Sequence, residues 1–132
     1  MKLKKDNTPA LEPTKSELEI LQVLWKNGPA TVRVVNDILN EQKRAVQYTS
    51  TLKLMQIMAE KKMLERDETN MKHVYIPVME EDKTKGFLLE KFVDSMFNGS
   101  ASNLMMQLLG NKKTSKKDLQ EIKDLLNKLD KS

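Results

Sequence analysis

Thr49, Ser50, Lys53 and Gln56 are spaced to share one face of a helix, with Thr51, Leu54, Met55 and Met58 on the opposite side. The first set consists of two hydroxyls, a cation and an amide. Such groups bond to base edges or to phosphate oxygens, whereas a carboxylate among them would repel phosphate. The first acid on this stretch is Glu60, at its far end. Solvated helix faces usually mix both signs of charge, and this one does not. The surrounding segment is basic too: over 42–64, Lys43, Arg44, Lys53, Lys61 and Lys62 stand against Glu60 alone. A local concentration of this kind is the footprint left by phosphate binding, although a plain solvated face is the simpler alternative.

Each residue also has an ordinary reading. Thr49 and Ser50 also fit as capping residues of a first helical turn, though the order of elements favours a base or phosphate contact, and Tyr48 serves as a core ring or as a phosphate contact through its hydroxyl. Lys43 and Arg44 fit backbone contacts or a solvated loop. Lys53, mid-helix on the polar face, is the strongest single candidate for contacting DNA.

Other chemistries are poorly provided for. Cysteine is absent, which removes disulfides, thiolate nucleophiles and thiolate metal sites. The single histidine, His73, reads as a half-exposed strand residue and leaves no histidine cluster for a metal. Paired carboxylates, a nucleophile motif and a phosphate-cradling glycine loop are all missing, so neither an enzyme nor a cofactor is expected. The first residues are basic but lead into no apolar run, and no stretch approaches the ~20 apolar residues of a membrane span. A cytoplasmic protein with no membrane insertion is expected. The 132 residues suit one domain, or a small domain with an oligomerising extension. Nine methionines against only six aromatic residues point to a core that gains part of its burial from a partner subunit.

The elements that must position the polar face follow in order. Residues 1–13 read as a disordered polar lead. "TKSE" at Thr14 is a capping box that opens a helix carrying Leu18, Leu21, Val23, Leu24 and Trp25, and "NGP" stops it at Gly28. Thr31 caps a second helix with Val34, Val35, Ile38 and Leu39. The polar link "NEQKR" leads to a third helix over 45–62. The period then changes from helical to alternating. "MLERDE" and "HVYIPVM" form a small hairpin whose Pro77 suits an edge strand, with Asn70 and Lys72 at its turn. Lys72 is placed to meet a phosphate.

Beyond Glu81 three short helical stripes carry Phe87, Leu88, Phe92 and Met96, then Leu104 and Leu108, then Leu119, Ile122, Leu126 and Leu129. They are too apolar on one side for a lone chain, so 81–132 is read as a dimerisation region. The last stripe alternates acidic and basic residues on its other side, which fits a solvated outer face of a dimer better than a membrane helix.

Three helices followed by a hairpin is the order of a winged helix-turn-helix. The expected fold is therefore mostly α with a small β-hairpin wing. A DNA-binding domain covers 14–80, and a C-terminal helical dimerisation region follows it. A winged-helix module that binds other proteins, with no DNA role, is the alternative. It would show apolar anchors on the third helix, where only Ile57 hints at one.

Four pieces in order carry a resemblance: the helix from Glu17 ending in "LW", "YTS" at Tyr48, "YIP" at Tyr75, and "FNGS" at Phe97. Together they resemble the BlaI/MecI/CopY family, the penicillinase-repressor type, over nearly the full chain. The resemblance implies a homodimeric winged-helix repressor on double-stranded DNA with a palindromic operator, released when a membrane sensor-protease signals. Family members that respond to antibiotics are cut at an Asn-Phe bond; the aligned pair here is Gln107-Leu108. Lys62 stands where the family commonly has glycine. The copper-responsive members' C-terminal cysteine cluster is absent. The link around 79–83 is expected to be pliant, leaving the spacing of half-sites open.

Overall fold

The computed structural model describes residues 12–42, 44–69, 71–111 and 113–130, and of residues 126 and 128–130 the backbone only. The order is α1 (Lys15–Asn27), α2 (Val32–Gln42), α3 (Tyr48–Glu60), β1 (Leu64–Asp67), β2 (Val74–Pro77), α4 (Glu81–Phe97), α5 (Ala101–Gly110) and α6 (Lys116–Asp130). The chain divides between Leu88 and Leu89 into two compact units, so the first two turns of α4 belong to the first unit. The fold is a winged helix-turn-helix: three helices, then a two-stranded antiparallel wing.

α1 begins where "TKSE" places it. The Thr14 hydroxyl accepts from the Glu17 N–H at 3.2 Å, and the Glu17 carboxylate accepts from the Thr14 N–H at 2.9 Å. Gly28 ends the helix at φ 89°, a value that costs glycine little. Ile20, Leu21, Val23 and Leu24 enter the core, where Val32, Val35 and Leu39 of α2 and Met55 and Met58 of α3 meet them. Met63, Leu64 and Tyr75 close it from the wing side. At roughly 1.5–3 kcal/mol for each fully buried large side chain, this cluster is the main favourable term for the first unit.

α3 is shorter than the expected 45–62. Its start is delayed because both backbone groups of Val46 are held outside a helix. The Val46 N–H donates to Asn40 Oδ1 at 2.9 Å, and its carbonyl accepts from Asn36 and Asn40 at 3.0 Å each. At the other end Lys62 sits in the left-handed region at φ 70°. Around it the Lys62 N–H reaches Ala59 O and the Met63 N–H reaches Met58 O, the paired bonds of a Schellman cap. The position that favours glycine is thus occupied by a lysine in the glycine-like conformation.

In the wing, Leu64 pairs with Pro77 and Asp67 with Val74. Tyr75 turns its N–H and C=O away from β1 to bond Ala30, at 2.8 and 3.2 Å. Alternation along the strand then turns Pro77 outward as well, where its missing N–H breaks no ladder bond.

The segment expected to be a pliant link is tied down. The Val78 N–H donates to Met63 O at 2.9 Å, and the Trp25 indole N–H donates to Met79 O at 2.9 Å. The Met79 side chain packs on the core, Thr84 is buried, and the Lys85 ammonium lies 5.9 Å from the centre of the Trp25 ring.

The second unit has a different character. α5 is capped by Ser100, whose hydroxyl accepts from the Asn103 N–H at 3.1 Å, and Ser115 caps α6 in the same way through Asp118. Phe92 and Phe97 meet edge to face at 5.9 Å. Among the described residues of this unit no apolar side chain is buried.

Candidate nucleic-acid interface

α3 presents Thr49, Ser50, Lys53 and Gln56 to solvent, while Thr51, Met55 and Met58 are buried and Leu54 is half-buried beneath them. The helix is held from the core side by a polar contact as well as by packing. Asn36, itself buried, donates to Thr51 Oγ1 at 2.8 Å and to Val46 O at 3.0 Å. One amide therefore fixes both the turn between α2 and α3 and the first turn of α3. Lys53 makes no ion pair among the described residues, and α3 has no acid in its first turn.

The basic footprint read from the sequence is redistributed. Arg44 is exposed but bonded to Glu19 at 3.0 Å. Lys61 is bonded at 2.8 Å to Glu17, which is only 2% exposed. Burial pushes the Glu17 carboxyl up, but the Lys61 ammonium and the Thr14 N–H and hydroxyl together outweigh it and hold the group below the usual carboxylate range. Both cations are thus committed to α1, Lys61 tying the end of α3 to its start. Lys43 lies outside the described residues.

Tyr48 is exposed rather than part of the core, and the Arg33 guanidinium lies over its ring, 4.8 Å from the centroid. Lys72 is exposed on the wing turn beside the fully exposed Met71, and Asn70 lies outside the described residues. β1 adds Glu65 and Asp67 to the wing and Glu68 follows it, with Arg66 bound to Glu68. Lys72 is thus the wing's one cation without an acid partner among the described residues.

Sequence reasoning missed Arg33, Asn36 and Asn40. Asn36 carried a readable signal, being a polar residue at a core position of the Val32, Val35, Leu39 stripe. Arg33 carried none, because its contact is with a residue on another helix.

Of the residues expected at a dimer contact, Phe87 and Leu88 are half-buried within the first unit. Phe92 and Met96 are exposed, and Leu104, Leu108, Leu119 and Ile122 are half-buried. The side chains of Leu126 and Leu129 lie outside the described residues. Gln107 is exposed and Leu108 half-buried, both within α5. No helix among the described residues is long and apolar enough to cross a membrane.

A wing behind three helices, with a hydroxyl-rich face on the third whose one acid, Glu60, is the last residue of the helix, defines a regulator of the winged-helix class. The chain belongs to the penicillinase repressor family, whose model matches residues 13–128. It is similar to the penicillinase repressor of Staphylococcus aureus, with 20% identity over 122 residues that cover 92% of this chain and 95% of that one. The family's role is transcriptional repression, a regulatory rather than an enzymatic one.

Proposed function

We propose that the chain is a sequence-specific DNA-binding repressor that works as a homodimer on a palindromic operator. The observation that carries this reading is the exposed face of α3, where Thr49, Ser50, Lys53 and Gln56 stand together with no carboxylate among them. A helix this short, fixed at both ends by Asn36 and by Lys61, is suited to lie in a major groove without bending. Lys72 meets a backbone phosphate from the wing, and the exposed apolar side chains of the second unit are covered by a second copy. Two equivalent helices then require two half-sites, about one helical turn of ~34 Å or a small multiple apart. Release by a membrane sensor-protease belongs to the same reading. The aligned bond, Gln107-Leu108, lies inside α5, so a protease reaches it only when that helix opens. The alternative of a protein-binding winged helix has less support, because Ile57 on α3 is half-buried and the exposed ring of Tyr48 is covered by the Arg33 guanidinium.

Selecting duplexes from a random pool with the purified chain, followed by filter binding with Lys53→Ala, tests the reading. The substitution should weaken the selected site about tenfold and random duplex less, a loss within the ~1–3 kcal/mol of a base contact. Equal binding by Lys53→Ala and the unmodified chain on both duplexes would take α3 out of the groove.

A further inference from the structure

We infer that Arg33 of α2 is a phosphate-binding residue of the operator contact and that the ring of Tyr48 holds it in place. This rests on the DNA-binding reading above and adds to it a residue from outside α3 and the wing.

Arg33 and Tyr48 are both exposed, and their stack, 4.8 Å from guanidinium carbon to ring centroid, joins the first turn of α2 to the first turn of α3. A stacked guanidinium keeps its in-plane N–H groups free while losing rotamer freedom, so it is prearranged for the paired oxygens of a phosphate. Arg44 and Lys61 differ, since their charged ends already meet Glu19 and Glu17. Among the described residues Arg33 has no ion pair, and neither Glu41 nor Asp37 of its own helix bonds it.

The surroundings suit an anion. Neither α2 nor α3 carries an acid in its first turn, and both helices begin beside this stack, so the partial positive charges of two helix starts add to the guanidinium. Along α3, Tyr48 lies to one side of the face formed by Thr49, Lys53 and Gln56. An arginine approaching from α2 over that side is placed to meet the backbone strand beside the groove rather than the base edges within it. The ring also gives Tyr48 a role that does not depend on its hydroxyl.

Binding of the full chain to its selected duplex and to random duplex over a range of salt concentrations tests the inference. Arg33→Ala should weaken both duplexes by a similar factor and lower the slope of log K against log salt by about two units, one for each copy in the dimer. Tyr48→Phe, which keeps the ring, should bind as the unmodified chain does. Tyr48→Leu should reproduce much of the Arg33→Ala loss, and combining the two should add little. Arg33 is exposed, so circular dichroism should show the variant folded as before. An unchanged salt slope for Arg33→Ala, beside normal binding by the unmodified chain, would overturn the role of Arg33 and leave the repressor reading standing. A loss with Tyr48→Phe as large as with Tyr48→Leu would place the contact at the phenol oxygen and overturn the stacking role. Failure of the unmodified chain to bind any duplex would overturn both readings.

Discussion

The two units use similar helices in opposite ways. Up to Leu88, apolar stripes close on one another, and Leu21, Val35, Met55 and Met58 are fully sealed. From Leu89 onward the stripes remain open: Met96 is 64% exposed, Met106 70% and Leu125 59%. Helix-forming residues and caps are present in both, so local preference is not what separates them. The first unit has a wing and a third helix folded back over the others, and among the described residues of the second unit no such closing layer is found. Local capping makes a helix; only a second surface makes a core.

Charging the open surface should have the largest effect. Phe92→Asp combined with Met96→Asp should leave the melting of the first unit unchanged but abolish the proposed self-association. Apolar burial would be lost twice over by symmetry, at roughly 1.5–3 kcal/mol per side chain. Sedimentation velocity should then show a monomer at micromolar concentration. Operator affinity should fall by roughly 10²–10⁴, because two linked heads no longer share an effective concentration. A dimer that survives both charges would mean that the open stripes are not what pairs.

A smaller effect sharpens the closed side. Glu17→Ala removes the acceptor for the Thr14 N–H and the partner of Lys61 together, and should cost about 2 kcal/mol, or roughly 8–16 °C in the melting of the first unit. The folded-state pKa of Glu17 is held below its unfolded value. Its contribution is therefore complete above the ordinary carboxylate range and lost as pH falls through the depressed value. Thermal melts across an acid series should show the unmodified chain losing more stability on acidification than Glu17→Ala. Parallel losses would mean that the ion pair contributes nothing.

The smallest expected change has the opposite sign. Lys62→Gly relieves a side chain in the left-handed region, at a cost of about 1–2 kcal/mol for an L-residue, offset in part by the greater unfolded freedom of glycine. A net gain of about 0.5–1 kcal/mol by urea denaturation is expected, confined to the first unit. A loss would show that the lysine stem makes packing contacts that glycine cannot replace.

What the sequence disclosed follows the range of each interaction. Thr14 and Glu17 are three residues apart, so the capping box could be read directly. The wing announced itself by its change of period, and the polar face of α3 by its missing acids. The partners of Lys61 and Arg44 could not be read, because Glu17 and Glu19 lie 44 and 25 residues away. Counting charges along 42–64 therefore overstated the free cations. The late start of α3 was hidden for the same reason: nothing near Val46 shows that side chains one helix earlier hold its backbone. The tied link at Met79 depends on Trp25, 54 residues upstream, whose indole has one donor to place.

Trp25 is the chain's one tryptophan, and its position makes the protein its own optical gauge. Indole emission shifts to the red and changes intensity when water replaces a protein carbonyl and a nearby ammonium. Here those neighbours are the last residues before α4 and a side chain of its first turns. Any event that lifts the beginning of α4 from α1 is thereby written into the spectrum of a single fluorophore. Stopped-flow fluorimetry on the unlabelled chain can time that movement, whatever sets it off.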